Sequence, residues 1–268
     1  MQWINIAKGS AVIITTSGRP GEITYLNVVK AQQFFSDAIF IERDKRSIKQ
    51  LQEQFKDLIL VAGENRFELY TMESSDPFFY HPNSASFRIK RMIKGEKDPL
   101  IEAADLLPED RFLDCTAGLA SDALVASWFC NQPVTAIESK REIAFITAQG
   151  LKCFQHKIDD INAAMRKINI HNEHADSYLK NCLSDSFDVV YFDPMFHEAI
   201  QSEGLSHMRE LADYDDGHLY DSVQEAVRVA RKTVVLKDHF RSNRFHQLGF
   251  ERIIRPSTKQ HYGVISVK

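Results

Sequence analysis

The chain has 268 residues, 44% of them hydrophobic and 26% charged, and a formal net charge of -4. That length and composition give one large or two modest folded domains with a sizeable core, and exclude a disordered or fibrous class. The negative charge excludes capture of nucleic acid by a whole-molecule field, so any such contact must come from a local basic patch. The four cysteines, Cys115, Cys130, Cys153 and Cys182, form no C-x-x-C pair. This argues against a zinc site or a disulfide framework and fits a reducing, cytoplasmic setting. The N-terminus has no basic start followed by an apolar stretch, so no signal peptide is expected. No run approaches the roughly 20 apolar residues of a membrane span.

In chain order, residues 11–16 (Ala-Val-Ile-Ile-Thr-Thr) read as a strand that ends at the turn Ser17-Gly18-Arg19-Pro20-Gly21. Residues 22–36 read as a helix and 38–41 as a short strand. Residues 47–55 carry Ile48, Leu51 and Phe55 on one helical face. Residues 58–62 and 67–71 flank Gly63-Glu64-Asn65 as a hairpin-like pair. Residues 1–75 are therefore expected to form a small α/β module. Residues 76–108 form an aromatic and basic segment in which Arg88, Lys90, Arg91, Lys94 and Lys97 interleave with Phe87, Ile89, Met92 and Ile93. Two readings stand for it: an amphipathic linker helix with a solvated basic face, or an RNA-contacting bridge.

From 109 to 268 strands and helices alternate, the signature of a parallel sheet. Strands are expected at 111–115, 134–138, 168–170, 188–193 and 233–237. Helices are expected at 121–130, 140–149, 159–167, 176–182, 218–230 and 241–247. The last two strands, 250–254 and 262–267, are joined by a short loop and should pair antiparallel. Five parallel strands and a terminal hairpin make a mostly parallel seven-stranded sheet, the layout of the class I methyltransferase fold.

Two motifs end hydrophobic runs. The first is Leu113-Asp-Cys-Thr-Ala-Gly-Leu-Ala-Ser-Asp122. Ala117 and Gly118 let backbone approach a ligand, and the following helix start supplies N–H donors. Without G-x-G-x-x-G, pyrophosphate is disfavoured. S-adenosylmethionine (SAM) has a sulfonium cation and no phosphate, and Asp114 and Asp122 suit it. Glu138 lies 20 positions beyond Gly118 and ends the next strand, where a carboxylate can accept both ribose hydroxyls. Asp176 follows the third strand region and can accept from an adenine amino group. Any one of these acids alone could be a helix cap; acids ending successive strands make a site.

The second motif is Tyr191-Phe-Asp-Pro-Met-Phe196. An exocyclic base amine is a poor nucleophile because its lone pair is delocalised. A carboxylate at Asp193 and a carbonyl aimed by Pro194 would accept its hydrogens and free that lone pair. Phe196 offers a stacking face worth about 1–3 kcal/mol. Lys237 ends the fifth strand and has either a structural role or a contact to RNA. His171 and His174 lack a third ligand of suitable spacing, so no metal is expected. Residues 197–217 form a long insert that could close over the substrate.

These motifs resemble the SAM-dependent methyltransferase family that modifies guanine N2 in small-subunit ribosomal RNA. Leu113–Asp122 is similar to its L-D-A-T-A-G-L-G-x-D, Tyr191–Phe196 to its Y-x-D-P-M-F, and Val234-Val-Leu-Lys237 to its V-V-x-K. The resemblance spans roughly residues 110–240; Ala120 stands where the family usually has Gly. It implies a SAM pocket at Asp114, Gly118, Glu138 and Asp176; Thr116, Ala117 and Asp122 lie in the first motif and Ser139 follows Glu138, and all four are expected to line the same pocket. It implies a target amine at Asp193, with Pro194 and Phe196 in the same motif; RNA contacts at Arg88, Lys90, Arg91 and Lys237 are expected from the basic segment and the end of the fifth strand. The alternatives are the same chemistry on a DNA base or a protein glutamine amide, or a SAM- or RNA-binding protein without turnover. The intact Asp193–Phe196 motif argues against the last. The net charge and the lack of a separate DNA-reading module argue against DNA.

Overall fold

A computed structural model describes residues 12–72, 74–194 and 216–267. The chain divides into two compact units, Met1–Phe79 and Tyr80–Lys268.

The first unit runs β1 (Ile13–Thr16), α1 (Glu22–Phe34), β2 (Ile39–Phe40), α2 (Ile48–Phe55), β3 (Ile59–Ala62) and β4 (Phe67–Tyr70). Its sheet has the order β2-β1-β3-β4, with β4 alone antiparallel to its neighbour. Every residue of β1 and β3 is buried, as befits strands paired on both edges with continuous apolar or β-branched sequence. Ser47 and Gln50 form a reciprocal capping box that starts α2 and turns Leu51 into the core beside Ile13 and Ile59.

The second unit begins with α3 (Asn83–Ile93) and α4 (Pro99–Ala103), then β5 (Phe112–Asp114), α5 (Ser121–Phe129), β6 (Val134–Glu138), α6 (Arg141–Cys153), α7 (Asp159–Arg166) and β7 (Ile168–Asn172). It continues through α8 (Ala175–Asn181), β8 (Phe187–Phe192), α9 (Asp216–Val229), β9 (Ala230–His239), α10 (Arg244–Gln247), β10 (Glu251–Ile253) and β11 (Gln260–Ser266). The seven strands are ordered β10-β11-β9-β8-β5-β6-β7. Pairings from β7 to β9 are parallel, and β11 lies antiparallel between β9 and β10. This is the class I SAM methyltransferase fold. On one face Leu113, Val190, Phe192, Val234 and Leu236 pack with Val223, Ala226 and Val229 of α9.

Residues Tyr80 onward, expected as part of a linker, belong to this second unit. Ala85 and Ile89 of α3 are fully buried, and α3 packs on α5. The five-residue α4 was not anticipated, although Asp98 as its N-cap and Pro99 in its first turn are readable start signals.

Candidate active site

The chain leaves β5 toward β6 on one side, while β8 pairs with β5 on the other. Such a reversal of strand order opens a crevice beyond the carboxyl ends of the two strands, where open α/β sheets bind ligands. Two loops border it: residues 115–120 after β5, and Asp193-Pro194 after β8.

The first loop turns through two left-handed residues, Gly118 (φ 50°) and Ala120 (φ 55°). Glycine occupies that region freely, whereas a residue with a Cβ loses roughly 1–2 kcal/mol there. The backbone thus explains the glycine usual at position 120 in the similar family. Bonds from Ala120 N–H to the Ala117 carbonyl (2.6 Å) and from Thr147 Oγ1 to the Gly118 carbonyl (2.7 Å) hold the turn.

Glu138, at the end of β6, ties into this loop. Its Oε2 accepts from Gly118 N–H and its Oε1 from Lys140 N–H, both at 2.9 Å. Burial raises its carboxyl, and these backbone donors oppose the rise. A carboxylate oxygen accepts along two lone pairs, so each retains capacity for a hydroxyl. The carbonyls of Glu138 and Ser139 accept from the Asn172 amide, fastening this edge to β7. Asp176 follows one strand further, in the first turn of α8, 3.4 Å from Lys180.

Asp114 is almost fully buried, and its Oδ1 accepts from Thr116 N–H at 2.9 Å. Among the described residues no cation stands within ion-pair distance of it. Burial pushes its carboxyl up to about 8. An acid left without a cation at the mouth of β5 fits a positively charged ligand. Thr116 also joins the two loops, because its Oγ1 accepts from Asp193 N–H at 2.6 Å.

Asp193 sits beside Lys237, whose Nζ donates to Asp193 Oδ2 (2.7 Å) and to Asp122 Oδ2 (2.9 Å). The Tyr191 hydroxyl donates to the same Asp122 oxygen at 2.9 Å. Arg88 pairs with Asp122 Oδ1 and forks onto both oxygens of Asp98 at 2.7 and 2.8 Å. The result is a chain, Asp98–Arg88–Asp122–Lys237–Asp193, of three carboxylates and two cations. Burial raises Asp122, but Lys237 and Arg88 outweigh it and hold this carboxyl well below its usual range. Burial likewise raises Asp193, to about 6, against the pull of Lys237. With its side chain 25% exposed and an ammonium at 2.7 Å, Asp193 is ionised at neutral pH.

The structure thus brings Asp114, Thr116 and Asp193 together, and joins Ala117 and Gly118 to the ends of β6. It turns two expected site residues elsewhere. Both oxygens of Asp122 are engaged by Arg88, Lys237 and Tyr191, so it faces the ion chain instead of standing open to a cofactor. Arg88 is turned inward, its side chain 20% exposed, instead of standing on a solvated basic face. Lys90 and Arg91 are exposed, and Arg91 pairs with Glu96. Phe196 and residues 197–215 of the expected lid lie outside the described residues, and 216–217 begin α9. Sequence reading missed the roles of Tyr191 and Asp98; a buried tyrosine in an apolar strand was the available signal for the first. Among the described residues no group of three or more His, Cys, Asp or Glu is arranged to hold a metal ion. No helix among them is long and apolar enough to cross a membrane.

Residues 43–254, well over half of the chain, match the family model described as "Putative SAM-dependent methyltransferase". The chain belongs to this family of SAM-dependent methyltransferases. Among the relatives of this methyltransferase is the uncharacterized protein YpiP of Bacillus subtilis (strain 168), 42% identical over 94% of this chain and 98% of its own. A protein named ribosomal RNA small subunit methyltransferase J, from Nitrosococcus oceani, is 29% identical over 67% of this chain and 73% of its own. The crystal structure of the SAM-dependent methyltransferase NGO1261 from Neisseria gonorrhoeae shares the fold. It has a TM-score of 0.62 and 16% identity, and the match covers 95% of this chain and 96% of that one. The cofactor of this methyltransferase is therefore SAM, and the buried acid at Asp114 suits that cation.

Proposed function

We propose that this enzyme methylates an exocyclic amine of a base in RNA, guanine N2 of small-subunit ribosomal RNA. The observation that carries the reading is the fixed carboxylate of Asp193. Its backbone N–H is tied to Thr116, its Oδ2 is held by Lys237, and its Oδ1 has no partner among the described residues. The protein from Nitrosococcus oceani named as a ribosomal RNA methyltransferase supports the choice of acceptor.

When bound, SAM supplies a methyl group already activated on a sulfonium, so the protein's task is largely orientation. Asp193 Oδ1 and a carbonyl of the Asp193-Pro194 turn accept the two amine hydrogens and leave the nitrogen lone pair free as the nucleophile. Once methylated, the amine would be strongly acidic, and Asp193 or water would take its proton. No histidine is required. Phe196 belongs to the same proposal as a stacking face for the base. Lys90, Arg91 and Lys237 remain proposed acceptor contacts, the last by holding Asp193. Ser139 and Asp176 belong to the proposed nucleoside end of the cofactor site.

Glu138 is proposed to hold the ribose. Losing a paired, charge-assisted hydrogen bond costs about 1.5–3 kcal/mol, so calorimetry on Glu138→Ala should show SAM binding weakened about tenfold or more. Unchanged affinity would remove Glu138 from the site. Asp114 gives a pH signature. Its raised carboxyl is protonated in the free enzyme below about 8, and a cationic ligand favours the ionised form. SAM affinity should therefore rise from pH 6 toward 8 and level off above, with proton release on binding; a flat profile would separate Asp114 from the cofactor. The acceptor itself is tested by transfer of tritiated methyl to purified small-subunit ribosomal RNA. Label on DNA or protein, with none on RNA, would overturn the reading.

A further inference from the structure

Beside the ion chain, α3, the residues before α4 and the β10–β11 hairpin enclose a cleft of about 200 Å³. Arg88, Asp98 and Lys237 are among its lining residues. Their charges are spent on one another and on Asp122 and Asp193. The other charged residues of the lining are three cations from three different elements: Arg91, Lys97 and Arg255. Arg91 and Lys97 touch Glu96 and Glu102 through exposed pairs, with Lys97 and Glu102 side chains 81% and 54% exposed. Such pairs contribute little and yield readily to a better anion. Arg255 has no carboxylate partner among the described residues. Its guanidinium lies over the Tyr262 ring, 5.5 Å from the centroid, with one weak bond to the Gln260 carbonyl at 3.4 Å.

We propose that this cleft holds a backbone phosphate of the acceptor strand, with Arg91, Lys97 and Arg255 as its ligands. The assignment rests on the RNA reading above and gives it a binding geometry. In a chain of net charge -4, a local convergence of cations is where a polyanion can be caught. Arginine forks match the phosphate oxygens, and lysine supplies a point charge. In the ion chain beside the cleft the three carboxylates of Asp98, Asp122 and Asp193 outnumber the two cations, which disfavours an anion there and leaves the phosphate to Arg91, Lys97 and Arg255. Lys237 is common to the cleft and to Asp193, so the nucleotide next to that phosphate is the one that reaches the acceptor carboxylate. Arg255, in the β10–β11 loop, thereby gives the terminal hairpin a part in substrate capture.

The test uses the full chain with Lys97→Ala and Arg255→Ala together, beside Lys152→Ala as an exposed lysine elsewhere. Thermal unfolding confirms that each is folded. SAM affinity is read by calorimetry, and binding of small-subunit ribosomal RNA is titrated against salt. The double variant should bind RNA about tenfold more weakly. Its slope of log affinity against log salt should be shallower by about 1. SAM affinity should be unchanged, and Lys152→Ala should match the wild type. Weakened SAM binding in the double variant would assign the cleft to the cofactor's carboxylate and overturn the proposal. RNA bound by the wild type and equally by the double variant would overturn the cleft assignment and leave the RNA reading standing. No RNA binding by the wild type would overturn both.

Discussion

Asp193→Ala slows methyl transfer by about 10²-fold or more, the scale of deleting a preorganised electrostatic group, and leaves SAM affinity nearly intact. The carboxylate is oriented before any substrate arrives, by Thr116 from the neighbouring loop and by Lys237 from the neighbouring strand. Removing it costs the transition state an acceptor aimed at the amine, while the donors and acids proposed for the cofactor stay in place. Lys237 keeps Asp122 as its counter-ion, so the variant does not bury an unpaired ammonium. The same residue sets the acid limb of the rate. Burial raises its carboxyl to about 6. Protonation below that value replaces an acceptor with a neutral acid, so kcat falls as pH drops through about 6 and is flat above. Tritiated methyl transfer with saturating SAM reads both effects. Full activity in Asp193→Ala would reduce the Asp193-Pro194 motif to a turn.

Arg88→Met destabilises the fold by about 3–5 kcal/mol, the range for removing one partner from a buried ion pair. The guanidinium is the sole cation on Asp98 among the described residues and one of two on Asp122, and those carboxylates are only 3% and 7% exposed. Lys237 and Arg88 together hold the Asp122 carboxyl well below its usual range, and losing Arg88 weakens that hold. A depressed folded-state acid gives stability that is present above its unfolded pKa and is lost as pH falls through the folded one. The deficit relative to wild type is therefore largest at neutral pH and shrinks as pH falls into the acid range. Urea denaturation at several pH values measures this. Equal stability at neutral pH would show that the ion chain contributes nothing to the fold. Reversing Arg88 to Glu would likewise report on folding instead of RNA contact, so the exposed Lys90 and Arg91 are the informative positions on α3.

Much of this architecture was legible because local signals agree with the global fold. Strands β5, β6 and β8 are short, mostly apolar runs that stop at Asp114, Glu138 and Asp193. A short loop between the last two runs permits only an antiparallel return. The β5 turn and the Asp193-Pro194 turn were readable as motifs because small residues and proline constrain the backbone there. The ion chain was not readable. Arg88 looks like part of an exposed basic stripe until α3 is packed on α5, and only then does it meet Asp122, 34 positions away. Asp122 looks like a ligand acid for the same reason. The left-handed Ala120 was marked only by a departure from the similar family. The bond from Asp193 to Thr116 spans 77 positions and exists only once β5 and β8 pair.

The most direct test is mass analysis of ribosomal RNA nucleosides from cells with and without this gene. N2-methylguanosine should fall in the small-subunit RNA when the gene is removed. It should recover with the wild-type gene and not with Asp193→Ala. An unchanged nucleoside profile in the deletion would contradict an RNA base amine as the acceptor.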